Sequence, residues 1–319
     1  MFNRVAAAGC ETGERLERGR VGDGPAGVRE AWSGSGGSLG GTNARLVAMD
    51  DVARARDLAR VAAERTQRLI ATLQQLDEAV LEEPSRLPGW SRLTIVCHLR
   101  YGNHALRRMT LDALEGRETS YYPDGRARQR PTTLMPAPGE RPAEVLDDWQ
   151  AAAAQLDSVW STVDDAQWST EVVEPADNPN LGPVPLARLA FTRLTELDVH
   201  TTDLGIDAAP DWSSTLVEVG LPTRLAWLAT RRTNHRAFDG TIQGSWLLNA
   251  TDGPCWLVTV KEERVESRPA VEDDEATAMI QASSRDLLAL LLGRPRHHPL
   301  RFSGDTAFAQ SFEKAFPGP

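Results

Sequence analysis

The stretch "RLTELDVHTTDLG", residues 193–205, sets an acid, a histidine and an acid in line, with Glu196, His200 and Asp203 spaced four and then three residues apart. An α-helix advances about 100° per residue, so a helical segment would carry all three groups on one stripe. Leu194, Leu197, Val199 and Leu204 give the same segment apolar surface to bury. Two readings are open for such a stripe. One is an exposed ion-pair ladder, since acid and base at this spacing stabilise a helix slightly. The other is a metal site, in which carboxylate oxygen and imidazole nitrogen converge on one divalent cation.

Composition narrows the class. The 319 residues are enough for two domains, and the balance of 35 basic against 45 acidic residues leaves a net charge of −10. That excludes the electrostatic footprint of a nucleic-acid or anionic-membrane binder. No run of 18 apolar residues exists to span a bilayer. The N-terminus lacks the apolar core of a secretory signal, which points to the cytoplasm. Cys10, Cys97 and Cys255 are odd in number and widely separated. They suit a reducing compartment with no disulfide framework, and Cys97 reads as a small buried hydrophobe.

Residues 1–48 hold 11 of the 25 glycines. Such a segment cannot bury enough apolar surface to offset the entropy of ordering, so disorder is expected there. The helical pattern starts abruptly near Met49, which is read as the natural translation start. Helices are expected over about 50–79, from Ser91 to Gly116 with Ser91 as cap, over about 142–164 and over about 184–204. The proline-rich stretch 117–142 between the second and third reads as a long loop. Four helices with apolar stripes over 49–206 make a helix bundle the economical architecture. After residue 206 the pattern turns to a helix, β-like runs joined by the hairpin signal "TDGP", and short C-terminal helices. That is a smaller α+β domain over 207–319.

A bundle metal site needs a further ligand from a helix facing Glu196 and His200. His297 and His298 lie in loop-like "GRPRHHPL", and His235 lies near the end of a helical run. His98 falls early in the second helix among Ile95, Val96, Cys97 and Leu99, where it reads as a ligand or as a satisfied core histidine. His104, six residues on, is about 240° round and cannot share its face. Trp90, Trp149, Trp160 and Trp168 read as core. Phe308, Phe312 and Phe316 read as one packing face.

These residues carry a resemblance. "LPGWSRLTIVCHL" (87–99) resembles the opening of the second helix in the mycothiol-dependent maleylpyruvate isomerase family, and "RLTELDVHTTDLG" resembles its "R-x-x-E-x-x-x-H-x-x-D-L-G" signature. "YYPDGRARQR" (121–130) is similar to the family's tyrosine–proline loop with its arginine, matched by Tyr122, Pro123 and Arg128. The loop departs from the family after that arginine, where it lacks an acidic pair. The resemblance implies a DinB-like four-helix bundle, followed by a smaller α+β sterol-carrier-like domain. It implies a divalent metal, zinc in the usual case, held by His98, Glu196 and His200, with Asp203 behind them.

Mycothiol is the implied cosubstrate, its metal-bound thiolate attacking an electrophilic carbon of a small molecule. The outcome is mycothiol S-transfer or a cis–trans isomerisation of the maleylpyruvate type. Arg128, and Tyr122 beside it, are the candidates for holding substrate or thiol, because a guanidinium matches a carboxylate bidentately. Two alternatives stand beside this reading. One is the same bundle using another low-molecular-weight thiol, and the other is a non-catalytic small-molecule or lipid-binding protein.

Overall fold

The computed structural model describes residues 5–6, 40–178, 183–206, 211–230, 242–262 and 264–318. Most of the expected N-terminal extension, and His235, lie outside the described residues. Strand β1 (Val5–Ala6) comes first, and α1 (Gly40–Leu73) starts about ten residues ahead of the expected helix. Once a helix has nucleated, each added residue gains a hydrogen bond, so it runs on through "ARLVAM". Then follow α2 (Glu78–Glu82), α3 (Arg92–Leu114), α4 (Arg126–Thr133) and α5 (Pro142–Thr162). Strands β2 (Glu171–Val172) and β3 (Val184–Pro185) pair antiparallel ahead of α6 (Ala187–Asp203) and α7 (Ser214–Thr230).

The chain divides into two compact units, Leu46–Pro222 with Arg294–His297, and Met1–Arg45, Thr223–Gly293 and His298–Pro319. The division falls inside α7 at Pro222, which has no N–H for the helix ladder. The change of pattern near 207 lies at residues 207–210, outside the described ones.

The first unit is a helical bundle. Leu69, Ile70 and Leu73 of α1 pack with Ile95 and Val96 of α3, Val145 and Trp149 of α5, and Leu197 of α6 in one buried cluster. Each large side chain so buried contributes about 2 kcal/mol. Cys97 belongs to this cluster, is free, and is fully buried. Burial pushes its thiol up to about 11. Iodoacetamide at pH 8 is therefore expected to leave Cys97 unlabelled in the folded protein and to label it after denaturation, as peptide mass spectrometry would show.

The stretch read as one long loop holds α4, with Pro131 inside it. Proline suggested a break, but its missing N–H costs only the rung to Ala127, an exposed residue whose carbonyl can turn to water.

The second unit is built on a five-stranded sheet. Its strands are β4 (Gly244–Ala250), β5 (Trp256–Lys261), β6 (Arg264–Pro269), β8 (Ala278–Ala282) and β9 (Arg301–Gly304), in the order β6-β5-β4-β8-β9. Within this sheet β4 and β8 pair parallel and the other neighbours antiparallel, and the short β7 (Glu275–Ala276) pairs with β1. Helix α8 (Ser284–Leu292) buries Leu287 to Leu292. The expected terminal helix is two, α9 (Thr306–Gln310) and α10 (Phe312–Ala315). The break falls at Ser311, whose hydroxyl donates to the Phe308 carbonyl at 2.6 Å and competes with the helix ladder. Phe308, Phe312 and Phe316 all meet Trp246, the nearest with ring centroids 4.3 Å apart.

Cys255 is disulfide-bonded, against the expectation of no disulfide framework. Spacing along the chain says nothing about which distant segments folding brings within the Cα separation a disulfide needs.

Candidate metal centre

Two chain segments far apart in sequence hold each other in place. Ser91 caps α3 by accepting a hydrogen bond from Thr94 N at 3.1 Å. One turn before it, the "SRLPGW" turn reaches the C-terminus of α6, where the last carbonyls have no helical partner. Arg86 N donates to the Asp203 carbonyl at 2.8 Å, and Arg92 Nε to the Leu204 carbonyl at 2.9 Å. Gly205 ends α6 with φ +71, and a Cβ there would stand 3.2 Å from the Arg86 side chain. The segment holding His98 is thereby locked against the segment holding Glu196 and His200.

The three side chains converge. His98 Nε2 lies 2.9 Å from Glu196 Oε2, and His200 Nε2 lies 3.1 Å from the same oxygen. One ligand atom from each residue falls within 4.8 Å of the others. On the far side of His200, Nδ1 lies 2.9 Å from Asp203 Oδ2. Asp203 is fully buried and accepts from Arg294 Nε at 2.6 Å as well. His104 stands apart, facing Asp148 at 3.5 Å.

Electrostatics follows the contacts. Desolvation works against the His200 imidazolium, yet hydrogen bonds to Asp203 and Glu196 outweigh it and carry its pKa up to about 9. Desolvation likewise opposes the Glu196 carboxylate, but hydrogen bonds from His200 and His98 hold it well below the usual range. These are groups competing for one another's protons in the space a cation would fill.

The donor set fits a metal. Two imidazole nitrogens and one carboxylate oxygen form the protein share of a zinc site that keeps a position open. An Asp203 carboxylate at His200 Nδ1 would hold that ring's proton there and leave Nε2 free for a metal, as carboxylates behind metal-binding histidines do. His98 Nδ1, by contrast with His200 Nδ1, is buried without a partner among the described residues.

Around the imidazoles stand groups that the sequence reading missed or misplaced. Trp90, read as core, is partly exposed and stacks near parallel to His200 at 6.2 Å and edge-on to His98 at 5.8 Å. The Arg130 guanidinium lies over Trp90, 5.5 Å from the ring centroid. Arg128, the arginine singled out from the sequence, is exposed and has no hydrogen-bond or ion-pair partner among the described residues. On a helix these two lie about 200° apart, so α4 turns them to opposite sides. With the segment read as loop, nothing distinguished them.

Tyr122 is buried, stacked on Tyr101 at 5.3 Å, with Arg126 over its ring at 5.8 Å. Burial raises its phenol, with Arg130 and Arg126 opposing. The other three tryptophans are core as read, all buried.

Comparison with known proteins bears on the fold that carries these residues. No curated protein matches the chain. Among solved structures, the crystal structure of the mycothiol-dependent maleylpyruvate isomerase is similar at 23% identity and TM-score 0.55, over 79% of this chain and 92% of that one. A histidine-to-alanine mutant of that enzyme is similar at 22% identity, with the same coverage and TM-score. At such identity the likeness establishes a common fold, a helical bundle with an α+β unit. Residues 62–205, which contain His98, Glu196 and His200, match the family model for the mycothiol maleylpyruvate isomerase N-terminal domain. Over that segment, this chain is similar to the N-terminal domain of the mycothiol maleylpyruvate isomerase family.

Proposed function

We propose that this protein is a metal- and mycothiol-dependent enzyme acting on a small electrophile, as a mycothiol S-transferase or a cis–trans isomerase of the maleylpyruvate type. The observation that carries the reading is the convergence of His98, Glu196 and His200 inside a domain of that family. These three residues would hold a divalent metal, zinc by the nitrogen and oxygen character of the donors. A bound dication stabilises the thiolate of a thiol at neutral pH, and the thiolate is the nucleophilic form.

The chain's own residues do the rest. Asp203 holds the proton at His200 Nδ1 and keeps the ring oriented. Trp90 covers one side of both imidazoles and limits the approach of water. The α4 arginines supply positive charge for an anionic group of substrate or thiol, Arg130 beside Trp90 and Arg128 further out.

The test is to load the protein with zinc, supply mycothiol, and follow maleylpyruvate and a fluorogenic alkylating electrophile in parallel. Turnover with mycothiol and none with glutathione or bacillithiol is expected. Turnover without any thiol, or none with metal and mycothiol present, would sink the reading. Within this assay, Arg130→Ala is expected to raise KM about tenfold by removing a charge-assisted contact, and Arg128→Ala to change it less than threefold. The reverse order would return the anchor to Arg128.

A further inference from the structure

Beside the metal centre, a cavity opens between α3, α5 and α6, lined by His98, Asn103, Trp149, Arg193 and Glu196 with apolar walls from Leu106 and neighbours. Four of these side chains each leave a buried nitrogen with no hydrogen-bond partner among the described residues: His98 Nδ1, Asn103 Nδ2, Trp149 Nε1 and Arg193 Nε. Asn103, Trp149 and Arg193 are 4%, 1% and 4% exposed. Arg193 is otherwise engaged, with NH1 on Asp157 and NH2 donating to Thr66 Oγ1 at 3.2 Å, so Nε alone is left over. Buried donors are almost always paired, and four left over around one cavity point to a missing acceptor.

All four nitrogens are donors once His98 uses Nε2 for a metal, because its proton then sits on Nδ1. A single water accepts at most two hydrogen bonds, whereas the two oxygens of a carboxylate offer about four acceptor sites and need none in return. The free space is about 20 Å³ at the size of a water molecule, where one water needs ~10–15 Å³. It admits a terminal group of a few atoms, not a whole substrate. We propose that this cavity is a carboxylate subsite, in which Asn103, Trp149 and Arg193 bind one carboxylate end of the substrate next to the metal centre.

The proposal rests on the functional reading for the identity of the ligand, and it adds a coupling. Glu196 also lines the cavity, and its negative charge opposes an anion until a cation neutralises it. Metal and carboxylate are thus expected to bind with mutual reinforcement, each raising the affinity for the other by the same factor.

The experiment uses the full chain with maleate as probe and neutral maleamide as control, by titration calorimetry on both zinc-loaded and metal-free protein. Maleate is expected to bind, to bind more tightly with zinc, and to exceed maleamide at least tenfold. Asn103→Leu, which removes one donor while keeping bulk, and Trp149→Phe, which removes one donor with part of the buried ring, are expected to weaken maleate about tenfold with zinc content unchanged. Asn103→Leu should not lower the melting temperature of ligand-free protein, since it removes an unpaired buried donor, whereas Trp149→Phe also thins the core and is expected to lower it modestly. Maleate affinity unchanged within twofold in both variants would overturn the subsite. So would equal binding of maleamide, absence of maleate binding to wild type in both states, or a maleate-soaked crystal showing only waters in the cavity. Loss of zinc uptake or of thiol-dependent turnover in wild type would instead count against the functional reading.

Discussion

His98→Ala and His200→Ala are each expected to reduce bound divalent metal from near one per chain to background, measured by elemental mass spectrometry on freshly purified protein. Each substitution would remove one of the three proposed ligands, and two alone would not define a tetrahedral site. Supporting partners of a ligand are worth about 10–100-fold in metal affinity, so loss of a ligand itself should exceed roughly 100-fold. The fold should survive, because His98 and His200 lie at the edge of the apolar cluster rather than within it. Circular dichroism unchanged alongside lost metal would establish the centre. Full metal content in either variant would return the two histidines to an ordinary helix-face role.

Asp203→Asn is expected to do two things at once. Asp203 accepts from His200 Nδ1 and from Arg294 Nε and NH2, and is itself 1% exposed. The amide keeps the volume but loses the charge. Breaking one partner of a buried ion pair costs about 3 kcal/mol, which corresponds to a melting temperature lower by roughly 5–10 °C for a domain of this size. The His200 ring also loses the carboxylate that orients it, so metal affinity should fall about 10–100-fold. Glu196→Gln separates the effects. Glu196 is only partly buried and, among the described residues, pairs with the two histidines, so that variant should lose metal with little change in stability. Calorimetric melting of the two variants side by side decides the matter. An Asp203→Asn protein that melts like wild type would show that Arg294 finds its stabilisation elsewhere.

The bundle was legible because its signals are local. Ser91, Gly116 and the apolar periodicity delimit α3 to within a residue or two, and the spacing of Glu196, His200 and Asp203 places all three on one helix face. What failed did so where local signals conflict. Pro131 hid α4, and with α4 hidden the choice between Arg128 and Arg130 rested on order in the chain alone. Ser311 split a helix through a side-chain hydrogen bond that periodicity does not encode.

By itself the sequence determined the residue types of the candidate centre, their helical spacing, and the change from a helical to a mixed pattern along the chain. Helix period and cap chemistry depend on residues within a few positions, and those are written in order. Only the tertiary structure decided that His98 meets Glu196, across 98 positions, and that the Arg86 and Arg92 turn clamps the end of α6. It also decided that four residues from three helices, each with a buried nitrogen that has no partner among the described residues, line one cavity. Such contacts arise from how helices pack on a shared core, and their geometry depends on every side chain between them.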